Sequence, residues 1–295
     1  MPFDLGLTLL CGQAFRWTPM DDGGYRGVVN GTVVDIWQRG SKEIYWEAGP
    51  KPFTTDQMRA YFRLDDNLDA IRVDIGDHRV DGAFSRYPGL RILSQDPWET
   101  LISFVISQVS NVPRISKTVE TLATHYGDHL GDGVSNAFPR PDQLAQADES
   151  ALRLLGLGYR APHLVVISNA IADGELFLEP LMYRSYDEAR KELMAFPGVG
   201  PKVADCSLLF SLDHLEAFPV DRWVIRAVQD WYDITTGTTQ EAMGSWARDS
   251  FGQYAGYAGQ YLFHARRDGG PECLEEGPRG PSDMENDFED PDMDM

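Results

Sequence analysis

Cysteine is scarce in this chain. Only Cys11, Cys206 and Cys273 occur among 295 residues, an odd number at wide spacing. That pattern fits neither a disulfide framework nor a zinc site. Long apolar runs are missing as well; nothing approaches the roughly 18–20 residues needed to span a bilayer, so no membrane partner is expected. The N-terminus shows no charged segment leading into an apolar stretch and a small-residue cleavage site, which points to a cytoplasmic protein. Lysine is the other shortage, with five residues against twenty-one arginines.

Acidic residues, by contrast, are abundant, and the formal net charge is −20. Taken alone this argues against a nucleic-acid partner, because phosphate contacts ordinarily require a basic surface. Residues 269–295 account for much of it, with ten carboxylates against the single base Arg279, and −11 remains on the body. Carboxylates spread over most segments beside so little lysine suggest adaptation to a high-salt cytoplasm, as in a halophile. At molar salt the Debye length is only about 3 Å, so global repulsion from a polyanion is weak and local contacts decide binding.

The composition is globular, with 42% hydrophobic and 11% aromatic residues. Tyr25–Val29 and Thr32–Gln38 are rich in β-branched and aromatic residues, and Asn30-Gly31 between them is a type I′ hairpin signal. A further strand is expected at Glu43–Glu47. From about residue 55 the period becomes helical. Asp96-Pro97 supplies an N-cap and a first-turn proline to an almost wholly apolar helix, Trp98–Gln108. Further helices are expected near 115–126, 161–171, 186–195, 201–211, 220–232, 240–250 and 255–267. The outline is an α+β protein: an N-terminal antiparallel sheet domain with flanking helices (1–94), a mostly helical domain (95–268) and a disordered acidic tail (269–295).

The densest chemical signal is Phe196-Pro197-Gly198-Val199-Gly200-Pro201-Lys202-Val203-Ala204-Asp205-Cys206. One helix ends near Ala195, a Pro/Gly turn follows, and a second helix starts at Pro201. Glycines at 198 and 200 permit positive φ and close backbone approach. The unpaired amides of the second helix then favour an anion such as a phosphate. This is the layout of a helix-hairpin-helix, which grips a DNA backbone through main-chain groups and so suits an acidic protein; an ordinary αα-corner reads the same way.

Lys202 sits in the first turn of that helix, where the dipole works against a cation. A lysine nucleophile must shed its proton, so the position suits covalent chemistry, although a phosphate-contacting lysine would also stand there. Nineteen residues on, Asp221 in Phe218-Pro219-Val220-Asp221-Arg222-Trp223 is placed to N-cap a helix. It is equally placed to stabilise positive charge developing at a cleaving glycosidic bond.

Together, the hairpin, the lysine within Lys202-Val203-Ala204-Asp205-Cys206 and Pro219-Val220-Asp221 resemble the helix-hairpin-helix, Gly/Pro-Asp superfamily of DNA glycosylases, and within it the 8-oxoguanine DNA glycosylases. Cys11-Gly12-Gln13-Ala14-Phe15-Arg16-Trp17, Gln95-Asp96-Pro97, Gly156-Leu157-Gly158-Tyr159-Arg160-Ala161 and Gly256-Tyr257-Ala258 fall in the family's order, so the likeness runs over about residues 5–268. The resemblance implies a bifunctional glycosylase and lyase that acts, as a monomer, on double-stranded DNA containing a damaged base. It implies that Lys202 attacks C1′ and forms a Schiff base, with Asp221 as its carboxylate partner. Cys206 and Phe263 would enclose the flipped base, and the Gly12 carbonyl would accept the N7–H that 8-oxoguanine has and guanine lacks. Arg114, Tyr159 and Arg160 match positions that wedge the duplex and meet the opposite base, with Asn111, Gly198, Val199 and Gly200 as further DNA contacts. No cofactor is implied beyond a monovalent or Mg cation bridging the hairpin to a phosphate.

The chain departs from the family at three points. The asparagine run is Ser107-Gln108-Val109-Ser110-Asn111, the glutamine that reads the base edge falls at Gly259 with Gln260 one step away, and the histidine after the aspartate is Trp223. Two alternatives remain: an alkylpurine glycosylase, which lacks the catalytic lysine, and a non-enzymatic helix-hairpin-helix DNA-binding module. Branches carrying a four-cysteine iron–sulfur cluster are excluded, since only Cys273 lies in the relevant region.

Overall fold

A computed structural model describes residues 2–269 apart from Lys42 and Asp233; the acidic tail lies outside the described residues. The N-terminal part opens with a short helix α1 (Leu5–Leu10). It continues into an antiparallel meander, β1 (Trp17–Pro19), β2 (Tyr25–Val29), β3 (Thr32–Arg39) and β4 (Glu43–Gly49), in the order β1-β2-β3-β4. The Asn30-Gly31 turn forms as its dipeptide requires: both residues have positive φ (49° and 70°), and Val29 pairs with Thr32 across it. Alternation puts Val34 and Ile36 inward, where they meet Leu5, Leu9, Trp17, Met58 and Phe62 in a small core. The two-residue register holds on the outer face too, where Trp37 stacks on Tyr45 at 5.4 Å.

Helices α2 (Thr55–Tyr61), α3 (Leu68–Ile75) and α4 (His78–Arg86) follow. The large domain then runs through α5 (Pro97–Ile106), α6 (Val112–Tyr126), α7 (Pro141–Ala145), α8 (Glu149–Leu152), α9 (Ala161–Ala172), α10 (Tyr186–Met194), α11 (Pro201–Ser211), α12 (Arg222–Tyr232), α13 (Gln240–Phe251) and α14 (Ala255–Gly269). Asp96 caps α5 as expected, accepting from the Glu99 amide at 2.8 Å with Pro97 in the first turn. Seven of the ten α5 side chains are buried, so it forms the centre of the helical core.

Packing does not divide at residue 94. Leu68, Ile71, Val80 and Phe84 of α3 and α4 belong to the large helical core, and Phe84 stacks on Tyr261 of α14 at 3.7 Å. The N-terminal segment is tied to that core by two polar residues. Buried Gln13 donates to the Thr8 and Arg91 carbonyls (both 2.8 Å) and accepts from the Leu93 amide at 2.9 Å. Arg16 donates to Glu120 at 2.7 Å and to the Asn136 carbonyl at 2.7 Å, with Glu99 at 4.0 Å. Burial pushes the Glu99 carboxyl up to about 7, Arg16 pulling against it.

Candidate active site

The hairpin forms between α10 and α11. Gly198 has φ +83°, and a Cβ there would lie 2.6 Å from the His163 ring, so both backbone and space demand glycine. Gly200 differs from the expectation: its φ of −87° is open to any residue and nothing surrounds its Cβ direction. It serves instead as the N-cap of α11, where no side chain caps the helix. First-turn amides are thereby left for an anion, over a glycine that lets a backbone approach. Val199 also differs, because its side chain is buried and its amide donates to the Phe196 carbonyl at 3.1 Å. Asp205 fixes the angle between the two helices: it accepts from Arg190 of α10 at 2.9 Å and from Tyr186 at 2.7 Å, and Arg190 also holds Glu241 of α13. Burial raises Asp205 to about 6, offset in part by that arginine.

Lys202 projects from the start of α11 towards the end of α5. Its Nζ donates to Ser107 Oγ at 3.2 Å and lies 4.6 Å over the Phe104 ring. Phe104 is buried between Phe210 (5.6 Å) and Phe15 (5.5 Å), so this platform is rigid. Cys206 lies one turn along α11. Burial pushes its thiol up to about 12, with Lys202 lowering it and Asp205 and Asp221 adding to the rise. It is therefore a neutral packing surface and not a competing nucleophile. Asp221 N-caps α12, accepting from the Trp223 and Val224 amides at 2.9 Å each. Burial raises its carboxyl above the usual carboxylate range, while the two amides and Lys202 hold it down. One carboxylate thus both caps α12 through two amides and feels the charge of Lys202.

A second cluster gathers around Gly12, beside Val112 at the start of α6. Gly12 has φ +91°, and its Cβ direction meets Arg267 Nη1 at 3.5 Å, Val112 at 3.8 Å and Phe263 at 3.9 Å. Phe263 is half-buried; Gln260, one turn earlier on α14, is buried beside Cys11 with Nε2 unpartnered. Gly259 points elsewhere, its Cβ direction running into the Phe218 ring at 2.9 Å.

The remaining candidates lie at the start of α6 and in the turn Gly158–Arg160, which packs on the loop at residues 107–112. Asn111 caps α6 by accepting from the Arg114 amide at 3.0 Å, and Arg114 itself is exposed. Tyr159 is half exposed, whereas Arg160 is only 6% exposed. Instead of projecting outward, Arg160 donates to the Gln108 and Val109 carbonyls and lies 4.5 Å over the Tyr159 ring. Val109 is 89% exposed at φ +49°, a left-handed conformation that costs a β-branched residue about 1–3 kcal/mol. Gln108 reaches across to the hairpin, donating to the Gly198 carbonyl at 2.9 Å. Ser107, Phe104 and Gln108 were not singled out as site residues from sequence. Their contacts depend on a pairing of α5 with α11 that no local pattern announces.

This fold and site define a helix-hairpin-helix protein of the base-excision type, with an amine and a carboxylate fixed at one end of the hairpin helix. Residues 1–101 match the 8-oxoguanine DNA glycosylase N-terminal domain, and residues 102–248 match the HhH-GPD superfamily of base excision DNA repair proteins. N-glycosylase/DNA lyase OGG1 of Arabidopsis thaliana is 32% identical over 281 residues, covering 88% of this chain and 76% of the relative. The N-glycosylase/DNA lyase of Saccharomyces cerevisiae is 32% identical over 262 residues, covering 78% and 69%. Among solved structures, the Clostridium acetobutylicum 8-oxoguanine glycosylase/lyase in complex with double-stranded DNA containing cytosine opposite 8-oxoguanine superposes with a TM-score of 0.85 at 32% identity, covering 90% of this chain and 92% of the other. The chain belongs to the 8-oxoguanine DNA glycosylase family of the HhH-GPD superfamily. Among the described residues no helix is long and apolar enough to cross a membrane.

Proposed function

We propose that Lys202 is the Schiff-base nucleophile through which this chain excises 8-oxoguanine from duplex DNA and then nicks the strand. The observation that carries the reading is the packing of Lys202 Nζ against Ser107 and Phe104, with Cys206 and the helix-capping Asp221 around it. The deprotonated amine attacks C1′, the glycosidic bond breaks, and the base leaves with the bonding pair. Asp221, held by two amides, stabilises the positive charge that develops on the sugar. The C1′–O4′ bond of the resulting aminal then opens, O4′ leaving with the bonding pair and taking up the proton that the amine gives up. The imine so formed acidifies the C2′ hydrogen, so that β-elimination expels the 3′ phosphate. Because the base must leave the stack for this, Cys206 and Phe263 form the walls that receive it, and the Gly12 carbonyl accepts N7–H.

The exposed valine at 109 fills the gap left in the helix and offers no hydrogen bond to the opposite base. Backbone grip comes from the uncapped α11 amides. A bridging monovalent or Mg cation would be held by carbonyls of the turn, of which Gly198 and Gly200 already accept one hydrogen bond each and keep a second lone pair. In this reading the protein works as a monomer in a saline cytoplasm.

The test is a panel of duplexes carrying 8-oxoguanine, 3-methyladenine or no lesion, assayed at high KCl. The expected result is release of 8-oxoguanine with a 3′-side nick formed without alkali. Base release without a nick, or preference for the methylated base, overturns it.

A further inference from the structure

Arg267 stands at the mouth of the base pocket and has no role in the chemistry so far. It lies one turn beyond Phe263 on α14, with its guanidinium carbon 5.3 Å from the Phe263 ring centroid. Nη1 is 3.5 Å from the Cβ direction of Gly12, and Nη2 donates to the Leu10 carbonyl at 3.4 Å. Among the described residues, neighbouring Arg266 pairs with Asp230 at 2.9 Å and Arg86 with Asp268 at 3.7 Å. Arg267 has no such carboxylate partner among them. In a chain of net charge −20, a half-buried guanidinium with no countercharge among the described residues, beside a base pocket, is a specific placement. Position 259 is a glycine facing Phe218, and Gln260 is buried beside Cys11.

The geometry points to Arg267 as a base-selecting residue, one that donates to a carbonyl oxygen of the extruded purine and repels bases that carry positive charge. This inference rests on the assignment of the Gly12–Phe263 cluster as the base pocket. In 8-oxoguanine the C6 and C8 carbonyl oxygens flank N7, so a donor beside Gly12 meets an acceptor whichever way the purine lies. An arginine supplies only donors, and it pairs readily with a purine carbonyl. A purine methylated at N7 is cationic and brings no C8 oxygen. At this distance from a guanidinium in a partly dry pocket it is disfavoured by charge alone. The ligand class is therefore a neutral, carbonyl-rich oxidised purine.

Arg267→Met keeps the stem over Phe263 and removes charge and donors; Arg267→Lys keeps the charge and loses the fork. Each is assayed under single-turnover conditions on duplexes holding 8-oxoguanine, 7-methylguanine or a preformed abasic site, with excision expressed as a ratio to abasic nicking. The methionine variant is expected to lose about 10–100-fold in the 8-oxoguanine ratio and to gain in the 7-methylguanine ratio. The lysine variant is expected to keep 7-methylguanine excluded. Unchanged ratios, or excision and abasic nicking falling together, overturn the role of Arg267. Failure of the wild-type protein to release 8-oxoguanine while still nicking abasic DNA would instead overturn the substrate reading on which it rests.

Discussion

Gly198→Ala is the perturbation that most directly probes how the hairpin is built. Two costs follow from the structure. An alanine at φ +83° occupies the left-handed region at about 1–2 kcal/mol. Its methyl would also lie 2.6–2.8 Å from three atoms of His163, an overlap that must be relieved by moving the ring or the turn, at about 1–3 kcal/mol. The sum is about 3 kcal/mol, equivalent to a fall of roughly 6–12 °C in Tm for a chain of this size. Duplex affinity falls with it, because displacing the turn misdirects the α11 amides. Urea unfolding of Gly198→Ala, His163→Ala and the double variant separates the two costs. In the His163→Ala background, where the Cβ of residue 163 still lies 2.8 Å from the new methyl, the glycine substitution should cost less than in the wild type but more than the backbone share of about 1–2 kcal/mol. Gly200→Ala, with φ −87° and open surroundings, should cost less than about 1 kcal/mol, the loss of a good N-cap. A Gly198→Ala variant within 0.5 kcal/mol of wild type, or a full penalty surviving removal of His163, would refute the reasoning.

Arg16→Met leaves Glu99 without its nearest cation and removes the bonds to Glu120 and Asn136; a loss of about 3 kcal/mol by urea unfolding is expected, and less than 1 kcal/mol would show the link between the two parts to be dispensable. Glu99 is raised to about 7 in the folded state, so it binds a proton more tightly there than in the unfolded chain. Its contribution is therefore present at acid pH and lost as pH rises through 7, and Glu99→Gln should stabilise by about 1–2 kcal/mol more at pH 8.5 than at pH 5. Asp221→Asn preserves a good N-cap and should slow base release far more than DNA binding. Burial raises the Asp221 carboxyl from its ordinary value, so the acid limb of the excision rate should be shifted upward by it and vanish in the asparagine variant; equal losses in binding and catalysis would make the residue structural. Val109→Gly relieves the left-handed strain and should hold its stability within about 1 kcal/mol of wild type or raise it, while reducing excision, as read by paired melting and single-turnover assays.

Much of this site was legible because its signals are local. Asn30-Gly31, Asp96-Pro97 and the Phe196–Pro201 turn each specify backbone conformation within a few residues, and the helix over 201–211 has the bounds its sequence suggests. Lys202 and Asp221 could be paired because both stand at helix starts whose spacing fits a shared motif. What stayed hidden depends on contacts distant in sequence. The six-residue α1 and the three-residue β1 are too short for a period to be read. Gln13 and Arg16 belong to a motif recognisable in the sequence, but their side chains bind residues 78 and 104 positions away and act as fasteners. Tyr257 in the Gly256-Tyr257-Ala258 motif similarly donates to Asp66 at 2.6 Å. The burial of Arg160 is of the same kind, since it depends on two carbonyls of a loop distant in the chain. Arg267 carries no motif at all, and its meaning appears only once α14 is laid against Gly12.

Covalent trapping tests the central claim most directly. With borohydride present, the protein and an 8-oxoguanine duplex should yield a reduced, denaturant-stable protein–DNA adduct. Lys202→Gln, which removes the amine while keeping a polar side chain of nearly the same length against Ser107 and Phe104, should abolish it. An adduct of equal yield from the glutamine variant would contradict the assignment of Lys202 as the nucleophile.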